Sequence, residues 1–214
     1  MRLRTALAVL VVLAAPRPGL AGCSVVEGDH DNSGTTDVRL LGDTARQSAV
    51  IEIHGDGSYL VSLDCNHDGD YADAGDAVKS GPGPIESFYV ELGGNDDVAV
   101  VQTGNIDGVS KDIVVIETTG VNAITYDTQG FGILNNSNLG IEIIGGSRFE
   151  KVTLDFSGST ISNSVVNVRG DLGSDGDRVD VLSALATTGS DVDIDLDMGP
   201  GANRVTFDDE GGVI

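Results

Sequence analysis

Short runs of Val and Ile return along the second half of this 214-residue chain at an almost fixed interval. One series begins near Val98, Ala123, Val152, Val179 and Val205, at steps of 25, 29, 27 and 26 residues. A second begins near Ile113, Ile141, Val165 and Val192, at steps of 28, 24 and 27. Two interleaved series with a common period describe a unit of two strands and two turns. Such a unit cannot bury its apolar face alone, so copies of it stack. The expectation is an all-β chain whose later part is a parallel β-solenoid (β-helix-like), each coil laying its Val/Ile face on the next. The alternative is a β-sandwich, because strands spaced roughly every 10–15 residues also suit antiparallel meanders.

Ahead of the repeats the pattern changes. Ala49–Ile53 and Tyr59–Leu63 flank His54-Gly55-Asp56-Gly57-Ser58, a spacing that predicts a β-hairpin, since Asp-Gly tolerates positive φ. Gly81-Pro82-Gly83-Pro84 then breaks regular structure. The division expected is a signal peptide over 1–22, a small β-hairpin region over 23–87 and the repeat region over 88–214. The last residues follow directly on a strand with no polar cap, as in a truncated solenoid or one whose edge self-associates.

The first of these segments sets the compartment. Arg2 and Arg4 precede an apolar run from Thr5 to Ala15, too short to cross a bilayer, which reads as an export signal. The protein is expected outside the cytoplasm, in the extracellular space or at the cell surface. Leu20-Ala21-Gly22-Cys23 resembles a bacterial lipobox, which would put a lipid on Cys23 and hold the protein to a membrane. Cleavage after Ala21 would instead leave Cys23 free to pair with Cys65, the only other cysteine. Both outcomes stand open on the sequence.

Asp64-Cys65-Asn66-His67-Asp68-Gly69-Asp70 sets oxygen-bearing side chains at alternate positions and then a glycine, the D-x-[DN]-x-[DN]-G spacing that wraps a loop around Ca²⁺. Gly75 stands where an EF-hand needs a bidentate Glu, so Asp73 or Asp76 is expected to close the loop. Asp29-His30-Asp31-Asn32-Ser33-Gly34 is a weaker copy, with Ser33 at the fifth ligand position and Asp37 beyond. Lacking the bidentate Glu, both loops predict weak affinity, on the order of 10⁻⁴–10⁻³ M. The candidate ligands are Asp64, Asn66, Asp68, Asp70, Asp73 and Asp76 in one loop, and Asp29, Asp31, Ser33 and Asp37 in the other. A net charge of −22, from 34 acidic against 12 basic residues, fits a chain that needs bound cations and excludes a nucleic-acid partner.

Three turns in the repeat region share a pattern: Gly93-Gly94-Asn95-Asp96-Asp97-Val98, Gly173-Ser174-Asp175-Gly176-Asp177-Arg178-Val179 and Gly199-Pro200-Gly201-Ala202-Asn203-Arg204-Val205. They resemble the nonapeptide of hemolysin-type (RTX) repeats, and with the D-x-N-x-D-G loops the chain is similar to bacterial secreted and surface repeat proteins. That resemblance implies Ca²⁺ ligands at Asp96, Asp177 and Asn203. The turns are isolated instead of tandem, and a bare Gly/Asn/Asp turn satisfies left-handed geometry without any metal.

Enzymatic motifs are missing: no G-x-S-x-G, no H-E-x-x-H and no phosphate loop. Asp193, Asp195 and Asp197 alternate with Val192, Ile194 and Leu196 and so share one strand face, without an accompanying base or aromatic. With only 5 Phe, 4 Tyr and no Trp, sugar-stacking platforms are scarce. The function expected is a non-enzymatic, calcium-binding structural or adhesive protein, with a cell-surface polymer or another copy of the chain as partner. The alternative is a carbohydrate-active solenoid enzyme of the lyase or hydrolase kind, or a fragment of one.

Overall fold

A computed structural model describes residues 23–208, apart from 72, 74, 84, 109, 117–119, 121, 129–132 and 184–185. The export signal and the chain's last six residues lie outside the described residues. Five strands come first: β1 (Ser24–Gly28), β2 (Asp37–Leu41), β3 (Ser48–Ile53), β4 (Tyr59–Asp64) and β5 (Ala77–Gly81). Four coils of three strands follow: β6 (Ser87–Glu91), β7 (Val98–Thr103) and β8 (Ile106–Asp107); β9 (Ser110–Ile116), β10 (Asn122–Asp127) and β11 (Ile133–Asn135); β12 (Asn138–Ile144), β13 (Glu150–Asp155) and β14 (Thr160–Ser162); β15 (Val165–Asp171), β16 (Arg178–Leu182) and β17 (Ala186–Thr188). β18 (Asp191–Asp197) and β19 (Arg204–Asp208) open a further coil.

The chain is all-β and the repeat region is a parallel β-solenoid of about four turns. The first sheet runs β1-β2-β6-β9-β12-β15-β18, the second β19-β16-β13-β10-β7-β3-β4-β5 and the third β17-β14-β11-β8. Each coil therefore has three sides, where the sequence predicts two. The third side is invisible to a periodicity search because its strands are two or three residues long and offer few buried apolar side chains, among them Ile106, Leu134 and Ile161.

Register fixes the true repeat. Successive coils are offset by 25, 28, 27 and 26 residues in the first sheet, and by the same four steps in the second. The stacked core residues of the second sheet are Ala99, Ile124, Val152 and Val179, with Val205 next in register but 46% exposed on the final strand, so Val98 and Ala123 sit one position off the inward register. In the first sheet Ile113 and Ile141 stack on Val168, whereas Val165 faces outward and is 38% exposed. Like residues pile on like along the axis, and the inner coils bury their apolar rows on both neighbours, while Val192, Val205 and Phe207 of the final strands stay exposed. For a Leu or Ile that burial contributes about 1.5–3 kcal/mol.

The hairpin region is present as expected. β3 and β4 pair antiparallel with Ile53 opposite Tyr59, and Gly57 takes φ 83° in the turn. β4 pairs antiparallel with β5, and β1 with β2. These strands are not separate from the solenoid: β2 pairs parallel with β6, and β3 with β7, at an offset of 50 residues. β4 and β5 thus extend the second sheet beyond β3 and cover its N-terminal edge. The boundary expected after residue 87 falls inside β6, and one apolar core extends from Val38 to Val181.

Two corners hold the coils in line. At the entry to the second sheet Gln47, Asp97, Asn122, Glu150, Asp177 and Asn203 occupy equivalent places. The Gln47 amide N–H donates to Asp97 Oδ1 at 2.7 Å, that of Asp97 to Asn122 Oδ1 at 3.2 Å, that of Glu150 to Asp177 Oδ1 at 3.0 Å, and that of Asp177 to Asn203 Oδ1 at 2.9 Å. At the entry to the first sheet Ser137 and Ser164 donate their N–H groups to Ser164 Oγ and Ser190 Oγ, each at 3.2 Å. Backbone donors that the turns would strand are satisfied by the next coil's side chain.

Candidate metal centre

Both D-x-N-x-D-G loops lie at the N-terminal end of the stack, and they fold alike. In each, the fourth and sixth positions take positive φ: Asn32 62° and Gly34 88° in one, His67 65° and Gly69 84° in the other. The same three hydrogen bonds recur. The glycine N–H reaches the first aspartate, Gly34 to Asp29 Oδ2 at 3.1 Å and Gly69 to Asp64 Oδ2 at 3.0 Å. The fifth N–H reaches the third side chain, Ser33 to Asp31 Oδ1 at 2.8 Å and Asp68 to Asn66 Oδ1 at 3.0 Å. The seventh reaches the fifth, Thr35 to Ser33 Oγ at 3.3 Å and Asp70 to Asp68 Oδ1 at 2.8 Å. These ladders of side chain to backbone N–H follow from the Asp, Asn and Ser spacing.

The loops differ in what their carboxylates face. Asp64 is buried, and its Oδ1 also accepts the His67 N–H at 2.7 Å. Asp76 closes the loop by accepting the Cys65 N–H at 3.1 Å and the Asp73 N–H at 3.2 Å. The Asn66 amide donates to both oxygens of Asp73 at 3.0 Å. That loop is closed on itself. In the loop read as weaker, Asp29, Asp31 and Asp37 each bring a carboxylate oxygen within 4.8 Å of the other two. Among the described residues this is the one cluster of three metal-ligating side chains so close. Asp37 is 0% exposed; its Oδ2 accepts the His30 N–H at 2.8 Å, while its Oδ1 has no hydrogen-bond partner. Hydrogen bonds from Ser33, first from its hydroxyl and then from its amide, hold the Asp31 carboxyl below its ordinary range. The Ser33 and Thr35 hydroxyls both donate to Glu86 Oε2, which ties the loop to the chain just before β6.

His30 packs beside this cluster. Its ring is partly covered, meeting Tyr89 edge-to-face at 6.4 Å. Burial, then the charges of Asp31 and Asp37, push the Tyr89 phenol up. Cys23 and Cys65 are joined in a disulfide, Cα to Cα 5.8 Å, which anchors the start of β1 to the head of the Asp64 loop and leaves the Cys23 sulfur no valence for a lipid. Glu27 of β1 accepts from the Tyr59 hydroxyl and pairs with Lys79 at 2.9 Å, so β1 is bound to both β4 and β5.

The RTX-like turns resolve into the corner described above. Asp177 and Asn203 point into the stack as rungs and accept backbone N–H groups. The register equivalent of Asp177 in the first of these turns is Asp97, 1% exposed, while Asp96 is exposed. The turn glycine has its own reason: Gly173 takes φ 84°, and a Cβ there would sit 1.7 Å from the Gly146 carbonyl oxygen. Sequence reasoning missed Glu150, a rung that no turn motif marks. Burial pushes its carboxyl up, aided by Asp177 and opposed by the Gly146 N–H. Asp97 is pushed up to about 7, burial first, with Asp96 and Asp43 adding and the Gln47 N–H opposing. Asp193, Asp195 and Asp197 do share the exposed face of β18.

Comparison with family models, with characterised proteins and with solved structures gives no match for this chain.

Proposed function

We propose that this is an exported calcium-binding β-solenoid with a structural or adhesive role outside the cell. The observation that carries the reading is Asp37 Oδ1: a buried, unpartnered carboxylate oxygen beside Asp29 and Asp31. A buried acceptor without a donor costs about 1–3 kcal/mol, and more when charged, which a bound cation would relieve. The donor set is all oxygen. Hard cations with six to eight oxygen ligands suit it, and the two cysteines, already bonded to each other, supply no thiolate for softer metals. Export is supported by the Arg2/Arg4 leader pattern and by the disulfide, which persists in oxidising compartments.

Calcium here would act on the fold, since the triad ties the chain after β1 to the first residue of β2. With a Kd of about 10⁻⁴–10⁻³ M, 10 mM Ca²⁺ would stabilise the folded state by about 1.4–2.7 kcal/mol. Titration calorimetry of Ca²⁺ into EDTA-stripped protein is the test. Saturable heat is expected, lost in Asp31→Ala and retained in Asp68→Ala. Absence of heat in the wild type, with an unchanged melting temperature after EDTA, removes the proposal.

A further inference from the structure

The outer face of the first sheet carries a groove of about 550 Å³, centred on Gly140 of β12. Gly140 is what opens it. A Cβ at that position would lie 2.3 Å from Asp112 Oδ1, so the carboxylate of the neighbouring strand leans across the glycine into the notch. The register sets the rows: Ser87, Asp112, Gly140 and Asn167 lie side by side, and so do Tyr89, Val114, Glu142 and Arg169. Asp31 and Tyr89 form one wall, Asn167 and Arg169 the other, with Asn138 and Glu142 above and below the glycine.

We infer that this groove binds a neutral saccharide chain. Its lining presents acceptors (Asp112, Glu142), donors (Arg169) and amides that are both (Asn138, Asn167), the mixture that hydroxyl groups need, since each both donates and accepts. An anionic polymer meets three carboxylates and one guanidinium. A polycation meets the Arg169 guanidinium in one wall. An apolar ligand meets a lining that is more polar than apolar. Tyr89 is the one aromatic ring in the lining, so hydrogen bonds carry recognition. The inference rests on the adhesive reading only in giving it a ligand class. Asp31 belongs to both sites, but the groove's other walls are independent of the cation.

The experiment uses the whole chain, titrated by NMR with cellohexaose, mannohexaose and maltohexaose, and with hexagalacturonate and spermine as charged comparators. Each titration is run in 5 mM Ca²⁺ and again in EDTA. One neutral hexasaccharide is expected to saturate, with shifts confined to the first sheet. Binding should weaken at least tenfold in Asn167→Ala/Arg169→Ala, whose outward-facing positions, half-buried and exposed, leave the core untouched. Gly140→Val, which fills the notch, should abolish it where circular dichroism shows the variant folded. Saccharide binding that survives in EDTA keeps the groove even if the calcium reading fails. The inference is overturned if no neutral oligosaccharide binds, if hexagalacturonate or spermine binds more tightly, or if the double variant binds unchanged.

Discussion

Breaking the Cys23–Cys65 bond is the perturbation whose size follows most directly from the fold. The two residues are 42 apart, and the bond closes a loop holding β1 to β4 and the Asp29 loop. Chain entropy for a loop of that length gives about 4 kcal/mol at 25 °C. Native contacts offset little of the loss, because β1 is an edge strand bound to the stack through β2 and through Glu27. Urea unfolding followed by far-UV circular dichroism, on wild type and on Cys23→Ser, Cys65→Ser and the double variant, measures it. All three variants should lose about 3–4 kcal/mol, with melting temperatures lower by about 10 °C. They should agree, because either substitution breaks the same bond. A loss below about 1 kcal/mol in Cys23→Ser, or a double variant losing the sum of the singles, would refute the reasoning: the first denies the cross-link its role, the second assigns it to packing at Cys65.

Other expectations are independent of the disulfide. Gly173→Ala forces a Cβ onto the Gly146 carbonyl at positive φ and should cost more than about 2 kcal/mol in urea, whereas Gly34→Ala, with φ 88° and nothing within 4 Å, should cost only about 1 kcal/mol. Leu154→Ala, at 0% exposure in the middle of the stack, should lose about 2–5 kcal/mol. Asp97 has a folded-state value of about 7 against an ordinary 3.8, so the folded chain holds a proton that the unfolded chain has released. Stability should therefore fall as pH rises from about 4 to about 7, and Asp97→Asn, which keeps the Oδ1 acceptor for Gln47, should flatten that slope in thermal melts. A melting temperature that rises across this window in wild type, or the same slope in the variant, contradicts the buried carboxyl.

The parts of this fold legible in the sequence are those with a long, regular signal. The β3/β4 hairpin shows because Asp-Gly sits between two apolar runs, and the stacking shows because Val and Ile return with each coil. The third side escaped because so few buried residues, such as Leu134, make no pattern. The exact register escaped too: Val165 looks like a core residue, yet it faces outward three positions before Val168, its strand's true partner for Ile141. At the acidic loops the spacing of side chains identified both loops and their turns. It favoured the Asp64 loop, because Ser33 looks poorer than Asp68 on paper, whereas the close carboxylate triad among the described residues lies in the Asp29 loop. What decides is where the loop meets the core: Asp37, the first residue of β2, is carried under cover by its strand. The corner turns were read as metal-binding because Gly and Asp at that spacing serve a ladder as well as a ligand set.

The constant step between coils has a mechanical consequence. Each solenoid strand is bonded only to its counterparts in the coils on either side, so a pull along the solenoid axis loads the outermost coil first, in peeling geometry. Once that coil lets go, the next presents the same edge. Each release frees about 27 residues, close to 90 Å of extended chain. Stretched in an optical trap, the stack would pay out in near-equal lengths and stop at the cross-linked first turn. Such a molecule is a tether that lengthens in increments without letting go of its base.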